Sequence, residues 1–512
     1  MPPEANKQLI PTKDVKILNE IKGFESTVSV FVSEEGVMYF VEPSPSADNY
    51  QYALDAIKSI LRLVSARYKT PVKHHVQVSQ SDFALLGRGE KKPAARTVSA
   101  EQGTVTSEKV LGELINTAAR QKGSDFFIDG RREEGLAYIS YKTYGISARA
   151  GQMPYELAEK VVRKMWSKGG TGTWEPSKPT DTTFSYPAVV NGVEKELRLR
   201  GASVSESERG FTVSCRLRDP SEIIPLESAG YTEQQLNDIN EMLRAPGGLI
   251  LFSGPTDSGK STSLTSAIDA MPHELRKIEI ADPVEVYIDH CTHIQLDRSN
   301  KEGSEIFSEI LSATVRMNPD VLILGEIRDK RTGLAAMSMA QQGKRVISTV
   351  HATTCAGVPP RLTDFGISPN LLGFRDFFAG SISQNLVGKL CLHCRRDATG
   401  NPSEDDRFEA LFESQNLYFR NPEGCSKCQN GIKGQTLVAE VYPMCVADNQ
   451  AYDFIRNESY SGYAEFMESS DLKVEAKHKV AARKILAGEI DPVLTERKIG
   501  SFRAARRWKE GG

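Results

Sequence analysis

A glycine-rich stretch, GPTDSGKST at residues 254–262, has the residue types and the spacing that hold a phosphate group. Its glycines at 254 and 259, followed by Lys260 and Ser261, satisfy the pattern G-x-x-x-x-G-K-[ST]. In such loops the backbone N–H groups surround nucleotide phosphates, the lysine reaches the β- and γ-phosphate oxygens, and the hydroxyl holds Mg²⁺. The predicted nucleotide-binding residues are Gly254, Pro255, Thr256, Asp257, Ser258, Gly259, Lys260, Ser261 and Thr262.

A phosphate loop of this kind needs a strand before it and a helix after it. The apolar residues 249–253 predict a buried strand, and residues 260–271 predict a helix that ends before Pro272. Because both elements are present, a chance match in an ordinary glycine turn is the weaker interpretation.

Two more predicted strands end in carboxylates that could act on a bound nucleotide. The apolar residues 321–324 run into Glu326, and the stretch IEIADPVEV ends a strand at Asp282 and places Glu285 just beyond it. The carboxyl ends of parallel strands share the sheet edge where ligands of this fold class bind. Glu326 is therefore predicted to act on Mg²⁺ or on the attacking water, with a solvated glutamate at a strand end as the alternative.

A histidine ends another predicted strand, in the stretch RVISTVHATT. Thr349 and His351 are two residues apart and therefore lie on one face of the strand, at the edge of the site. This placement favours a contact between His351 and a γ-phosphate. A purely structural role, which is usual for a single histidine at a strand end, is the alternative.

Four cysteines have the spacing of a metal site. They form two C-x-x-C pairs separated by thirty residues, at Cys391, Cys394, Cys425 and Cys428. Four thiolates bind Zn²⁺ tetrahedrally in structural sites, with no position open for catalysis. Disulfides are the main alternative, and His393 as a replacement ligand is a minor one.

Composition indicates a globular chain whose net charge favours neither strongly acidic nor strongly basic partners. The 512 residues are 39% hydrophobic and 26% charged, with a net charge of −3. No apolar run approaches the roughly 18 residues of a membrane span, and the amino terminus lacks the apolar region of a secretory signal. We therefore expect a cytoplasmic protein that reaches a membrane only through a partner, and no nucleic-acid ligand.

The pattern along the chain predicts several domains. Residues 1–90 are predicted to form an N-terminal domain, residues 91–106 a linker, and residues 107–222 a small α+β domain. Strands and helices then alternate over residues 228–512, which is typical of a doubly wound α/β sheet. The cysteine pairs place a zinc module at about residues 388–432 within this last part.

The order of these motifs resembles one family of secretion ATPases. The stretches APGGLILFSGPTDSGKSTSL, IADPVEV, VRMNPDVLILGEIRD and STVHATT are similar to the Walker A motif, Asp box, Walker B motif and His box of ATPases that serve type II secretion and type IV pilus assembly. The resemblance runs from KGSDFFID to about residue 500. It implies a RecA-like P-loop ATPase core preceded by a smaller, PAS-like α+β domain and an additional N-terminal domain.

The resemblance also implies roles for individual residues. Glu285 would act as general base or orient the water, Glu326 would serve the Walker B role, and His351 matches the His box. Arginines of the smaller domain reach the nucleotide in this family, and the candidates are Arg198, Arg200 and Arg216. Two departures are visible: Asp257 and Ala281 stand where the family usually has glycine and glutamate. Asp257 would weaken nucleotide binding unless it turns outward to cap the following helix.

The function implied by the resemblance is that of a hexameric motor that hydrolyses ATP with Mg²⁺ at the inner membrane. Arginines acting between subunits would couple each nucleotide state to the neighbour, and a platform protein in the membrane would be the partner. The four cysteines resemble the module of assembly-type ATPases, and the unmatched N-terminal part suggests a type IVb pilus system. Alternatives are a pilus retraction or conjugation-type secretion ATPase, a DNA translocase or helicase, and a non-hydrolysing nucleotide-binding scaffold.

Overall fold

The computed structural model describes three short strands near the amino terminus and then residues 100–503, apart from residues 171–172, 191, 207–209, 297–302, 414–415 and 473. The chain divides into two compact units, residues 1–103 and residues 104–512. The rest of the predicted N-terminal domain, the first part of the predicted linker and the basic segment at 504–512 lie outside the described residues.

The first unit contains a sheet of three short strands. These are β1 (Val30–Val32), β2 (Val37–Phe40) and β3 (His74–Gln77). Strand β2 lies in the middle, antiparallel to β1 and parallel to β3.

From residue 100 the chain forms two helices and a six-stranded antiparallel sheet, all in the second unit except the first turn of the first helix. The helices are α1 (Ala100–Arg120) and α2 (Tyr155–Gly169), and the strands are β4 (Gly123–Arg131), β5 (Leu136–Thr143), β6 (Ile146–Pro154), β7 (Thr180–Val190), β8 (Val193–Glu206) and β9 (Gly210–Arg218). The strand order is β6-β5-β4-β9-β8-β7. We call this part the small domain.

The small domain buries one face of its sheet and leaves charged side chains on the other. Strand residues alternate between the faces with a period of two, so Leu197, Leu199 and Cys215 point into the core while the arginines between and beside them point away. Trp166 and Trp174, both about 1% exposed, fill the centre of that core. The outer face therefore carries Arg198, Arg200 and Arg216, the candidates from the sequence, together with Arg218. We call these four residues the arginine row.

A seven-stranded sheet forms the centre of the remaining chain. Its strands are β10 (Gly248–Ser253), β11 (Lys277–Ala281), β12 (Cys291–Gln295), β13 (Val321–Leu324), β14 (Arg345–Val350), β15 (Phe378–Leu390) and β16 (Ile432–Tyr442). The order is β12-β11-β13-β14-β10-β15-β16, parallel throughout except for the antiparallel pair β15 and β16. This arrangement confirms the predicted RecA-like α/β fold class.

Both faces of this sheet are covered. Leu249 and Leu251 of β10 belong to one apolar cluster, while Ile250 and Phe252 belong to another, so alternate residues of one strand enter two cores. That is why the central strands are continuously hydrophobic. The covering helices are α3 (Glu233–Arg244), α4 (Lys260–Asp269), α5 (Gly303–Arg316), α6 (Lys330–Gln341), α7 (Val358–Asp364), α8 (Pro369–Leu372), α9 (Pro402–Phe412), α10 (Asn449–Arg456), α11 (Tyr460–Ser469), α12 (Lys477–Leu486) and α13 (Pro492–Ile499).

Helix α1 begins earlier than the sequence predicted. Its first residue, Ala100, lies inside the segment 91–106 that was expected to be a linker. Once the buried face at Leu111, Ile115 and Ala118 has nucleated the helix, each further turn toward the amino terminus forms more easily than a new helix would.

Within the described residues, no helix combines the length and the apolar character that crossing a bilayer requires.

Candidate functional site

The glycine-rich loop leaves the fully buried strand β10 and enters helix α4 at Lys260. Gly254 and Gly259 have φ angles of 147° and 83°, which favour glycine. A Cβ atom on Gly254 would come within 2.3 Å of the Gln384 carbonyl oxygen. The loop therefore packs closely against β15, with the N-terminal N–H groups of α4 directed at its hollow, where an anion is favoured.

Lys260 is folded into its own loop. Its Nζ donates to the carbonyl oxygens of Gly254 (2.9 Å) and Pro255 (2.8 Å). Burial lowers the pKa of Lys260, and the nearby carboxylates, Glu326 first among them, act in the opposite direction. A phosphate oxygen would give this buried ammonium a charged hydrogen-bond partner in place of the two uncharged carbonyl oxygens.

A cavity of about 270 Å³ opens over the loop. It brings together most of the residues predicted from the sequence. The predicted residues that line it are Thr256, Asp257, Ser258, Gly259, Lys260, Ser261, Thr262, Glu285, Glu326, His351 and Arg216, and they are joined by Asp282, Glu279, Arg218, Arg328 and Thr349, among others. Gly254, Pro255, Arg198 and Arg200 do not line the cavity.

Glu326 and His351 meet where β13 and β14 end. The His351 Nε2 atom lies 2.9 Å from Glu326 Oε1. Two contacts fix this meeting point: Thr349 Oγ1 donates to the Gly325 carbonyl (2.8 Å), and Ile327 N donates to the Thr349 carbonyl (2.9 Å). The parallel pairing of the two strands thus positions a carboxylate and an imidazole side by side in the cavity wall.

Glu285 faces the small domain. A guanidinium nitrogen of Arg218 lies 2.9 Å from its Oε2 atom, but without the alignment of a hydrogen bond, so the attraction is electrostatic. Arg198 Nη1 donates to the neighbouring Val284 carbonyl (2.6 Å). The segment that carries Glu285 is therefore held from outside the core sheet, by two strands of the small domain.

The arginines of the small domain differ in how close they come to the cavity. Antiparallel pairing places Arg198 opposite Arg218 and Arg200 opposite Arg216, so all four share the outer face of the small sheet. Those on β9 reach the cavity, whereas Arg198 binds a backbone carbonyl and Arg200 is exposed. The period of two that links positions 216 and 218 would have identified Arg218, which the sequence analysis missed. Within this chain Arg216 contacts the loop through Asp257, and Arg218 contacts Glu285 beyond β11.

Asp257 does not cap helix α4. The N-cap of that helix is Gly259, which makes no side-chain capping bond. Instead the Asp257 carboxylate accepts from Lys142 Nζ (2.6 Å) and from Arg216 Nη2 (2.9 Å), both on the small domain. Burial alone would raise the pKa of Asp257, but the Lys142 hydrogen bond and the Arg216 charge outweigh it and lower the pKa. The second departure, Ala281, is buried at the end of β11.

Two side chains that no sequence motif indicates, Gln384 and Tyr231, support the loop on the side away from the cavity. Gln384 Nε2 donates to the Ser258 carbonyl (2.9 Å), and the Tyr231 hydroxyl donates to Gln384 Oε1 (2.6 Å). All three residues are buried, so these bonds fix the floor of the loop without touching its phosphate side. Their sequence positions carry no motif, because their role depends on β15 lying beside β10.

The four cysteines form one cluster between β15 and β16. Their sulfur atoms lie within 4.8 Å of one another, with separations of 3.8 Å (Cys391–Cys425), 3.6 Å (Cys394–Cys428) and 3.6 Å (Cys425–Cys428). A disulfide would require about 2.05 Å. Zn–S bonds of about 2.3 Å in a tetrahedron place the sulfurs about 3.8 Å apart. The geometry therefore fits Zn²⁺ and not disulfides, and His393 is not part of the cluster.

Known proteins are similar to this chain in sequence. Type II secretion system protein E is 27% identical over 381 residues in Pseudomonas aeruginosa (74% of this chain, 72% of that protein) and 28% identical over 383 residues in Dickeya dadantii (74% and 73%). Type IV pilus assembly ATPase PilB of P. aeruginosa is 28% identical over 361 residues (68% and 60%).

Two solved structures have the same fold. The Legionella pneumophila ATPase DotB aligns with a TM-score of 0.55 at 17% identity, covering 80% of this chain and 97% of DotB. The pilus retraction motor PilT with bound ADP aligns with a TM-score of 0.50 at 20% identity, covering 78% and 99%. The sequence profile of the type II/IV secretion system protein family matches residues 100–491. Since this match spans most of the chain, the protein belongs to the family of type II/IV secretion system proteins.

Proposed function

We propose that this protein hydrolyses ATP to ADP and phosphate and uses the reaction for mechanical work. The observation that carries the proposal is the convergence, on one cavity over the glycine-rich loop, of Glu326 with His351 and of Glu285 with Arg218. A loop that only bound nucleotide would not need two carboxylates on the side where water must attack. The type II/IV secretion family membership supports the same activity.

The cavity offers hard oxygen ligands for Mg²⁺ in the Ser261 hydroxyl and the Glu326 carboxylate, which suits a cation that prefers oxygen. Bound there, Mg²⁺ would neutralise charge that develops on the transferred phosphoryl group. Lys260 would exchange its carbonyl partners for phosphate oxygens. Glu285 would accept the proton of the attacking water or orient it, and His351 would contact the γ-phosphate from beside Glu326.

Arg216 and Arg218 would complete the site from the small domain. A guanidinium stays charged at all physiological pH values, and its planar fork matches phosphate oxygens. Their partners in the structure are carboxylates, Asp257 and Asp125 for Arg216 and Glu285 for Arg218, which present oxygens in a similar arrangement. The small domain at residues 107–222 would thus add two positive charges to those that Lys260 and Arg328 supply from the core at residues 228–512.

The work performed is proposed to be type IV pilus assembly or protein secretion of type II. The names of the relatives, type II secretion system protein E and type IV pilus assembly ATPase PilB, support this role. Four clustered thiols support an assembly-type ATPase with structural Zn²⁺ held by Cys391, Cys394, Cys425 and Cys428. We propose a homo-hexamer in the cytoplasm, held at the inner membrane by a platform protein, with residues 1–90 as the docking part and the segment from residue 91 to the start of helix α1 as a linker to it.

The test is steady-state ATP hydrolysis by the purified full-length protein, with oligomer mass measured in the presence and absence of nucleotide. Glu326→Gln and Glu285→Gln are expected to abolish turnover while retaining nucleotide binding. Glu241→Gln is the matched control, because Glu241 is exposed, pairs with Arg244 on α3 and lies outside the cavity. Nucleotide binding by an assembled parent protein without any turnover would contradict the proposal and favour a scaffold.

A further inference from the structure

Asp257 places a carboxylate in the wall of the cavity that is proposed to receive phosphates. Its φ angle is 61°, in the left-handed region that glycine adopts freely and that aspartate and asparagine tolerate better than most residues. The loop pattern itself asks for no particular residue here, because Asp257 is one of its four variable positions. A negative charge at this point therefore needs a reason of its own.

The partners of Asp257 come from the small domain. Lys142 of β5 lies 2.6 Å from one carboxylate oxygen, and Arg216 of β9 lies 2.9 Å from the other. Asp125 of β4, which is 3% exposed, holds the Nε atom of the same Arg216 at 3.2 Å. Arg216 is thus fixed at its base by the small domain, while the end of its guanidinium is occupied by the loop.

Carboxylate and phosphate oxygens compete for such a guanidinium end. Both accept paired N–H bonds from arginine in a similar planar arrangement. They also repel each other, since a nucleotide brings several negative charges close to Asp257 in a partly buried site where water screens them incompletely. The Asp257 contact and a phosphate contact are therefore alternatives for the same atoms of Arg216.

We propose that Asp257 is a positioning residue that occupies Arg216 as an internal stand-in for phosphate until a nucleotide displaces it. The proposal rests on the proposed function, because it concerns the nucleotide of that same site. In the nucleotide-free protein the carboxylate keeps the small domain against the loop through Lys142 and Arg216. Nucleotide then binds more weakly than it would to a loop without this charge, and its binding releases Arg216 from the loop.

The test is a titration of the full-length protein with Mg²⁺ and a fluorescent ATP or ADP analogue, with and without Asp257→Asn. Asparagine keeps the shape and the tolerance of the left-handed backbone but removes the charge. We expect Asp257→Asn to lower the Kd for the ATP analogue about tenfold at low salt. The substitution removes the repulsion between the Asp257 carboxylate and the nucleotide phosphates, which is of this size at an intermediate dielectric constant. The gain is expected to be smaller for the ADP analogue, which carries less charge, and to shrink as salt is raised.

Lys142→Gln supplies the second arm. Lys142 does not line the cavity, so its removal acts on nucleotide through Asp257. We expect it to raise the Kd of the parent, because the Asp257 charge is then less compensated, and to have little effect in the Asp257→Asn background. Thermal melts of each variant show whether the fold is retained.

An unchanged or higher Kd in Asp257→Asn would overturn the proposal and indicate that the carboxylate preorganises the site. An equal effect of Lys142→Gln in both backgrounds would overturn it as well. Failure of the parent and of every variant to bind either analogue is a different result: it would remove the proposed function, and this inference with it.

Discussion

The arginine row on the small domain yields the sharpest quantitative prediction, for Arg216→Gln. An arginine that stabilises a transferring phosphoryl group contributes about 10³- to 10⁵-fold to turnover. In this protein a nucleotide must first displace Asp257 from Arg216, while buried Asp125 keeps its pair with the Nε atom. The Arg216 and Asp257 side chains are 47% and 33% exposed, and an exposed ion pair is worth about 0.2 to 1 kcal/mol. Displacing Asp257 therefore offsets up to about 1 kcal/mol, or a factor of about five, so the expected loss of kcat/KM is about 200- to 20,000-fold.

The assay is kcat/KM for ATP turnover, measured at subsaturating nucleotide, with two comparison variants. Arg149→Gln removes the same charge from β6, where the guanidinium lies 3.8 Å over the Tyr138 ring, and it is expected to keep the parent rate. Arg200→Gln is expected to lose far less than Arg216→Gln, because Arg200 is exposed and lines no part of the cavity. A loss below about threefold in Arg216→Gln, or equal losses in Arg200→Gln and Arg216→Gln, would refute the assignment of the phosphate contact to β9.

Three further predictions concern the metal, the core and pH. Cys425→Ser is expected to reduce the zinc content of the purified protein from about one to near zero per chain by elemental analysis; retained zinc would exclude the cluster as its site. Phe408→Ala is expected to lower the free energy of unfolding in urea by about 3–5 kcal/mol, because the ring is fully buried against Phe412 and Phe419. Burial raises the pKa of Asp238 to about 6, so its ionisation opposes folding. Asp238→Asn is expected to stabilise the protein by about 1 to 2 kcal/mol above pH 6, with the gain vanishing toward pH 4; a gain that does not depend on pH would contradict this reasoning.

The parts of the site that the sequence predicted are those fixed by single strands and their neighbours. Lys260 follows from the loop pattern, and Glu326 and His351 follow from apolar runs whose carboxyl ends meet at one sheet edge. Parallel pairing of adjacent strands is enough to bring these ends together, so apolar periodicity and motif spacing were sufficient to predict that Glu326 and His351 lie close to each other. The same holds for the four cysteines, where two short spacings and one metal geometry leave little freedom.

The parts that the sequence did not predict depend on how the small domain lies against the core. Asp257 was expected to weaken nucleotide binding unless it capped the following helix, and its partners in the structure, Lys142 and Arg216, are 115 and 41 residues away. No local period encodes such a contact, because it arises only where two sheets of the chain pack together. Arg218 is a different case: the period of two along β9 places it on the same face as Arg216, but only the packing of β9 over Glu285 shows its contact.

This packing has a consequence for how nucleotide and movement are linked. The segment with Glu285 leaves the core sheet after β11, yet Arg198 binds its Val284 carbonyl and Arg218 pairs with Glu285 itself, both from the small domain. A rotation of the small domain would therefore displace the carboxylate proposed to activate water, while Glu326 and His351 stay with the core strands. Since Arg216 joins the same domain to the loop through Asp257, the proposed phosphate contact and the placement of Glu285 both depend on strands of the small domain. We therefore expect the position of the small domain to determine whether the two halves of the site, the loop with Glu326 and the segment with Glu285, are assembled at the same time.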